Sequence, residues 1–256
     1  MMNKKTKKQP TSWEPVEKWY QSIVEDEGHY FHRQIILPGV IKLLGKPSSI
    51  LDLACGSGVL AQHLPADVEY LGIDISPSFI KAAKQKDNNK LHEYLVADVT
   101  NPLKLNKQDF THAALILAAQ NLDQPKIAFQ NAAKHLIKGA KFIVVINHPC
   151  FRIPRQSSWG VDQTKMIQYR RIDRYLSTMK IPIHAHPSKG DLSPATLSFH
   201  YPLSSFVQWL FETGFTVELM EEWCSDKEST GKNAKMENRS RSEIPLFLAI
   251  RAIKNT

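Results

Sequence analysis

At 256 residues, 42% hydrophobic and 23% charged, the chain has the balance of a globular protein that buries a sizeable core as one large or two small domains. No apolar run nears the roughly 20 residues of a membrane span, and the basic start Met1–Pro10 has no apolar stretch behind it, so neither a span nor a signal peptide is expected. A net charge of +8 raises nucleic acid as a partner. Yet the excess gathers at Lys4, Lys5, Lys7 and Lys8 and at Lys232, Lys235, Arg239 and Arg241, with no module of paired stacking aromatics, so a basic surface is the preferred reading.

Residues 1–11 read as a disordered basic tail, and residues 12–47 as a helical lead-in. Trp13, Val16, Trp19, Tyr20 and Ile23 are spaced for one apolar helix face, and Ile35, Ile36, Val40, Ile41, Leu43 and Leu44 for a second, with Gly28 between. Residues 48–147 then alternate strand and helix signals, which calls for a parallel sheet covered on both faces. Ile50, Leu51 and Leu53 make a short buried strand, Gly56-Ser57-Gly58 breaks the chain, and Val59, Leu60, His63 and Leu64 resume at helical spacing. Backbone amides at such a helix start favour an anionic neighbour.

Gly56-x-Gly58-x-x-Ala61 also fits a relaxed dinucleotide fingerprint. Asp52 argues against it, because a carboxylate at the strand end repels a pyrophosphate but suits an ammonium and a sulfonium. Val68–Ser76 reads as a second strand ending in Asp74, an acid placed for ribose hydroxyls. Leu91–Val96 reads as a third, followed by Ala97-Asp98-Val99, where an acid can accept from an adenine amino group. Three acids closing three successive strands suit adenosine joined to an amino acid.

With these residues in place, the sequence resembles the class I S-adenosylmethionine-dependent methyltransferases. Leu51-Asp-Leu-Ala-Cys-Gly-Ser-Gly58 is similar to that family's first motif, Gly72–Ser76 to its second and Ala97–Val99 to its adenine motif. Phe110–Gln120 resembles its fourth strand and Lys138–Ile146 its fifth. Ala54 stands where the family often has its first glycine, and Thr111 where many members have Asp. The resemblance implies a Rossmann-like, doubly wound α/β sheet of seven strands, the last antiparallel, binding S-adenosyl-L-methionine. It further implies that Asp52 and the backbone of Ala54, Cys55, Gly56 and Gly58 hold the methionine part. Asp74 takes the ribose, Ile75 packs on adenine, Asp98 and Val99 address its amino edge, and Leu115 and Gln120 line the open side. In the family a segment before the first strand commonly folds over the cofactor, which would turn Tyr20, His29, Tyr30 and Arg33 toward methionine or substrate.

Asp123–Lys138 reads as a helix stopped by Gly139. Residues 148–202 break the pattern and read as a substrate cap, with some antiparallel strand, over the mouth of the site. Residues 203–256 return to the sheet: a helix over 203–213, then strands over 215–220 and 244–252, with 225–241 as a charged mobile loop.

Within the cap, Arg152, Arg155, Arg170, Arg171 and Arg174 are candidates to hold an acidic group of the substrate, and Tyr175 and His200 complete the set of substrate residues. His148, just past the fifth strand, is the first candidate general base, ahead of His29 and His200. His184, His186 and His200 lack an acidic partner in step, so no metal is expected. Cys55, Cys150 and Cys224 are few and widely separated, which points to reducing cytoplasm. The expected activity is methyl transfer to the O, N or C of a small molecule. The alternatives are an RNA methyltransferase, a cofactor-binding interaction protein without catalysis and, more weakly, a dinucleotide oxidoreductase.

Overall fold

A computed structural model of the chain describes residues 30–184 and 195–255. The basic tail, the first lead-in helix with Tyr20, and His29 and His186 lie outside the described residues. A π-helical turn, His32–Ile36, runs into α1, Leu37–Leu44. The core then follows as β1 Ser49–Leu53, β2 Glu69–Asp74, α2 Pro77–Lys86, β3 His92–Val96, β4 Phe110–Ile116, α3 Pro125–His135 and β5 Leu136–Asn147.

After β5 come two hairpins, β6 Ser157–Asp162 with β7 Ile167–Ile172, and β8 Met179–His184 with β9 Ala195–His200. The chain ends in α4 Leu203–Glu212, β10 Phe215–Trp223, α5 Ala234–Glu243 and β11 Phe247–Lys254. Among the described residues no helix is long and apolar enough to cross a membrane.

The seven-stranded sheet has the order β10-β11-β5-β4-β1-β2-β3. β1 pairs in parallel with both β2 and β4, and β11 runs antiparallel between β5 and β10. This is the doubly wound α/β sheet with an antiparallel last strand that the sequence implies. Alternation along the strands supplies two cores. Leu51, Leu53, Leu115, Phe142 and Val144 face α3 and α4 through Phe129 and Leu210. Ile50, Tyr70, Ala114, Ile143 and Val145 face α1 and α2 through Val40 and Ile80. With both faces covered, the carboxyl ends of β1, β2, β4 and β5 remain the edge where a ligand fits.

Three expectations about elements need correction. The helix expected after Gly58 is a single 3-10 turn, Ala61–His63. Only six residues separate Gly58 from Pro65, too few to repay helix nucleation, so the helix terminus that was to favour an anion is missing. The helix expected to reach Lys138 ends at His135, and Gly139, at φ 77°, lies inside β5 where the pairing with β4 shifts register. Finally, the charged stretch 225–241 expected as a loop contains most of α5, with Met236 and Ser240 buried one turn apart.

Candidate active site

The glycine turn begins where β1 ends. Ala54, Gly56 and Gly58 all take left-handed backbone, with φ of 58°, 57° and 74°. The two glycines meet different surroundings. A Cβ on Gly58 would lie 2.9 Å from the Tyr94 hydroxyl and 3.1 Å from Ala83 Cβ, so this glycine admits the packing of β3 and α2. A Cβ on Gly56 would meet nothing within 4 Å, so bare backbone there faces open space that a ligand can approach.

Two carboxylates converge on this turn. Asp74 ends β2; its Oδ2 accepts from Gly56 N at 2.9 Å and its Oδ1 from Ser76 N at 2.9 Å. Asp52, on the neighbouring strand, is almost fully buried and accepts from Tyr70 Oη at 2.6 Å. Burial pushes the Asp52 carboxyl up to about 7, opposed by the Tyr70 hydrogen bond and helped upward by the negative charge of Asp74. Among the described residues no cation is a cause of the Asp52 shift. A buried acid lacking a counter-charge, beside bare glycine backbone, fits a ligand that brings its own positive charge, as the ammonium and sulfonium of S-adenosylmethionine do. Cys55, beside it, has its thiol pushed well up by burial and by Asp52 and Asp74, so it remains a thiol.

The remaining sequence-predicted cofactor residues spread along the same edge. Ile75 is 39% exposed just beyond β2, an apolar surface next to Asp74. Val99 is buried, and Asp98 folds back on its own loop: Oδ1 accepts from Thr100 N and Oγ1, and Oδ2 from Asn101 Nδ2. Leu115 is a correction. It has no exposed surface and belongs to the core, because β4 runs on to Ile116 and the half-buried residues at its end are Ile116 and Leu117. Gln120 follows on a 3-10 turn, its Nε2 donating to Leu117 O at 2.9 Å.

His148 also departs from expectation. It is buried, its Nδ1 accepts from Cys150 N at 3.2 Å, and its Nε2 donates to Glu222 Oε1 at 2.6 Å. Burial lowers its pKa, with Glu222 opposing. With both nitrogens committed, the ring tethers the start of the cap to β10 and has no lone pair left for a substrate proton. Tyr30 and Arg33 sit in the lead-in before α1. Tyr30 Oη donates to Asp226 Oδ2 at 2.9 Å, and the Lys227 ammonium lies 4.4 Å over its ring. Arg33 is exposed on the π-helical turn. This lead-in packs beside the carboxyl end of β5, where Phe31 meets Phe247 at 5.8 Å and Arg152 overlies the same Phe247 ring.

Sequence reasoning missed a narrow cleft beside the carboxyl ends of β4 and β5, lined by Gln120, Asn147, Arg152, Ser198, His200 and apolar side chains. Of the substrate residues proposed from sequence, Arg152 and His200 meet here. Tyr175 supports His200 from behind, its carbonyl accepting from His200 Nε2 at 2.6 Å and its hydroxyl accepting from Leu203 N at 3.0 Å. Gln120 was assigned to the cofactor; its contact with this pocket comes from β9, whose Ser198 Oγ donates to Gln120 O. Among the described residues no three His, Cys, Asp or Glu side chains gather as a metal site.

Residues 51–144 match the family model described as a methyltransferase domain. The chain is 28% identical over 144 residues to the malonyl-[acyl-carrier protein] O-methyltransferase of Hahella chejuensis, covering 54% of this chain and 48% of that protein. It is 32% identical over 77 residues to the 18S rRNA (guanine-N(7))-methyltransferase of Mus musculus, covering 30% and 27%. The chain thus spans about half or less of these curated relatives. Its fold is similar to the crystal structure of an S-adenosylmethionine-dependent methyltransferase from Mesorhizobium loti, with a TM-score of 0.65, 22% identity, and 86% and 96% of the two chains covered.

Proposed function

We propose, on the premise that residues 51–144 make this chain a class I S-adenosylmethionine-dependent methyltransferase, that it methylates a small molecule bound in the pocket at the ends of β4 and β5. The observation that carries this is the adjacency of two unlike sites on one sheet edge. The glycine turn with Asp52 and Asp74 closes β1 and β2; the pocket closes β4 and β5. β4 pairs directly with β1, so the two sites lie about one to two strand spacings apart, roughly 5–10 Å.

The bound cofactor supplies an activated methyl group on a positively charged sulfur. The chain's residues then divide the remaining work. Asp52 provides negative charge for the methionine ammonium, and the open backbone at Gly56 lets the ligand sit against it. Asp74 takes the ribose hydroxyls while its contacts with the amides of Gly56 and Ser76 hold it in place. Ile75 packs on the base, and Asp98 and Val99 address its amino edge. The hairpins of residues 148–202 act as the substrate cap, excluding water and fixing the acceptor, and positioning of this kind supplies much of the acceleration in a displacement. We place the reaction in the cytoplasm, which suits three free cysteines.

Calorimetric titration with S-adenosylmethionine, S-adenosylhomocysteine and NAD in parallel tests the cofactor half. Binding of both adenosyl compounds without NAD is expected; binding of NAD alone overturns the assignment. A second reading, methylation of RNA, is favoured by the net charge of +8 and by the similarity to the mouse rRNA enzyme. Salt-dependent retention by mixed RNA would support that reading, and none at low salt would remove it.

A further inference from the structure

The polar lining of the cap pocket defines its complement. Gln120 Nε2 donates to Leu117 O, and its Oε1 is buried and unpartnered among the described residues. His200 Nε2 donates to the Tyr175 carbonyl, and burial keeps the ring pKa below its usual value, so Nδ1 carries a lone pair. The pocket therefore offers a lone pair at His200 Nδ1 beside the amide of Gln120.

Arg152 supplies the opposite need. Its guanidinium lies 5.3 Å over the Phe247 ring and has neither an ion pair nor a hydrogen bond among the described residues. Arg170 stands near enough to push the Arg152 pKa down further, but is itself held by Phe151 O at 2.7 Å and Ser157 Oγ at 2.8 Å. A desolvated guanidinium beside a second cation, with no acid acting on it among the described residues, is an electrostatic site lacking its anion. Apolar walls at Ile146, Phe199 and Phe206 ask for an organic body, and one free guanidinium balances one negative charge, which favours a carboxylate over a phosphate dianion.

We infer that the pocket takes a small carboxylic acid that also carries a hydroxyl or amine, with the carboxylate against Arg152 and the donor toward Gln120 Oε1 and His200 Nδ1. The inference rests on the methyltransferase reading and names the substrate class of the same site.

The test uses the full chain saturated with S-adenosylhomocysteine, titrated calorimetrically with 4-hydroxybenzoate, with 4-hydroxybenzamide and with inorganic phosphate. The acid is expected to bind at least about tenfold more tightly than the amide, as for a charge-assisted pair. Arg152→Met should erase that preference while S-adenosylhomocysteine affinity is unchanged, and Arg152→Lys should retain part of it. Equal binding of acid and amide, a preference that survives Arg152→Met, or binding of neither probe overturns the inference. Phosphate binding more tightly than the acid also overturns it, in favour of a phosphate ester. Failure to bind S-adenosylhomocysteine overturns the parent reading, and this one with it.

Discussion

Replacing Asp52 by Asn should make the protein more stable while weakening its hold on the cofactor. The folded structure raises the Asp52 carboxyl from 3.8 to about 7, so the folded state holds this proton more tightly than the unfolded chain. The sign follows: stability is full below pH 4 and is lost as pH rises toward 7, because ionisation is cheaper in the unfolded chain. A displacement of about three pH units corresponds to about 4 kcal/mol at pH 8. At pH 5 the penalty has developed only to about 1.5–2 kcal/mol. Asn cannot ionise, yet its oxygen can still accept from the Tyr70 hydroxyl, so the variant escapes the penalty without losing the hydrogen bond. Urea unfolding of both proteins without ligand should show the variant more stable at pH 8, with an advantage about 2–3 kcal/mol larger than at pH 5. S-adenosylmethionine affinity should fall at the same time. An advantage equal at the two pH values, or a variant less stable at pH 8, would refute the claim that Asp52 is an uncompensated buried acid.

Other outcomes follow from the same geometry. Wild-type affinity for S-adenosylmethionine should rise from pH 6 to pH 8 with proton release on binding, since the ammonium favours ionised Asp52; calorimetry in two buffers of different ionisation enthalpy measures it. Gly58→Ala should cost about 1–3 kcal/mol, through left-handed strain and the clash with Tyr94 and Ala83. Gly56→Ala, with open space at its Cβ, should cost only about 1 kcal/mol yet impair cofactor binding, which thermal unfolding and titration together will separate. Ala54→Gly should leave stability unchanged or raise it by up to about 1 kcal/mol, the relief of φ 58° offsetting added chain entropy. Glu222→Gln should cost about 1–2 kcal/mol by weakening the His148 tether, without altering the pH profile of methyl transfer; a profile that shifts would reinstate His148 as a base.

The sheet was legible because its signals are local. Apolar runs at Ile50–Leu53, Leu71–Ile73 and Phe142–Ile146 name the buried strands, and glycines or acids punctuate their ends. The convergence of Asp52, Gly56 and Asp74 could be read for the same reason: they lie within one short stretch, and strand pairing brings them together. What escaped depends on distant partners. His148 is claimed by Glu222, 74 positions away, and Gln120 is drawn into the cap pocket by Ser198, 78 positions away. α5 carries no apolar stripe. It is held instead by polar contacts among Ser229, Glu237, Asn238 and Arg241, and by Ser240 reaching Gln168 in the cap. The short turn after Gly58, by contrast, was open to reading, since Pro65 leaves no room for a helix.

The antiparallel strand Phe247–Lys254 bears on how the protein is made. It lies between β5 and β10, and its hydrogen bonds join one to the other. As the chain leaves the ribosome, β1 to β5 can assemble in order, but β10 emerges before the strand it pairs with among the described residues. Until Phe247–Lys254 follows, β5 presents an open edge of Ile143, Val144, Val145 and Ile146, all nearly devoid of solvent exposure in the finished fold. Such an edge is prone to pair with other chains. Synthesis interrupted shortly before Phe247 should therefore yield an aggregating product, and the strand Phe247–Lys254 decides whether the residues before it remain soluble.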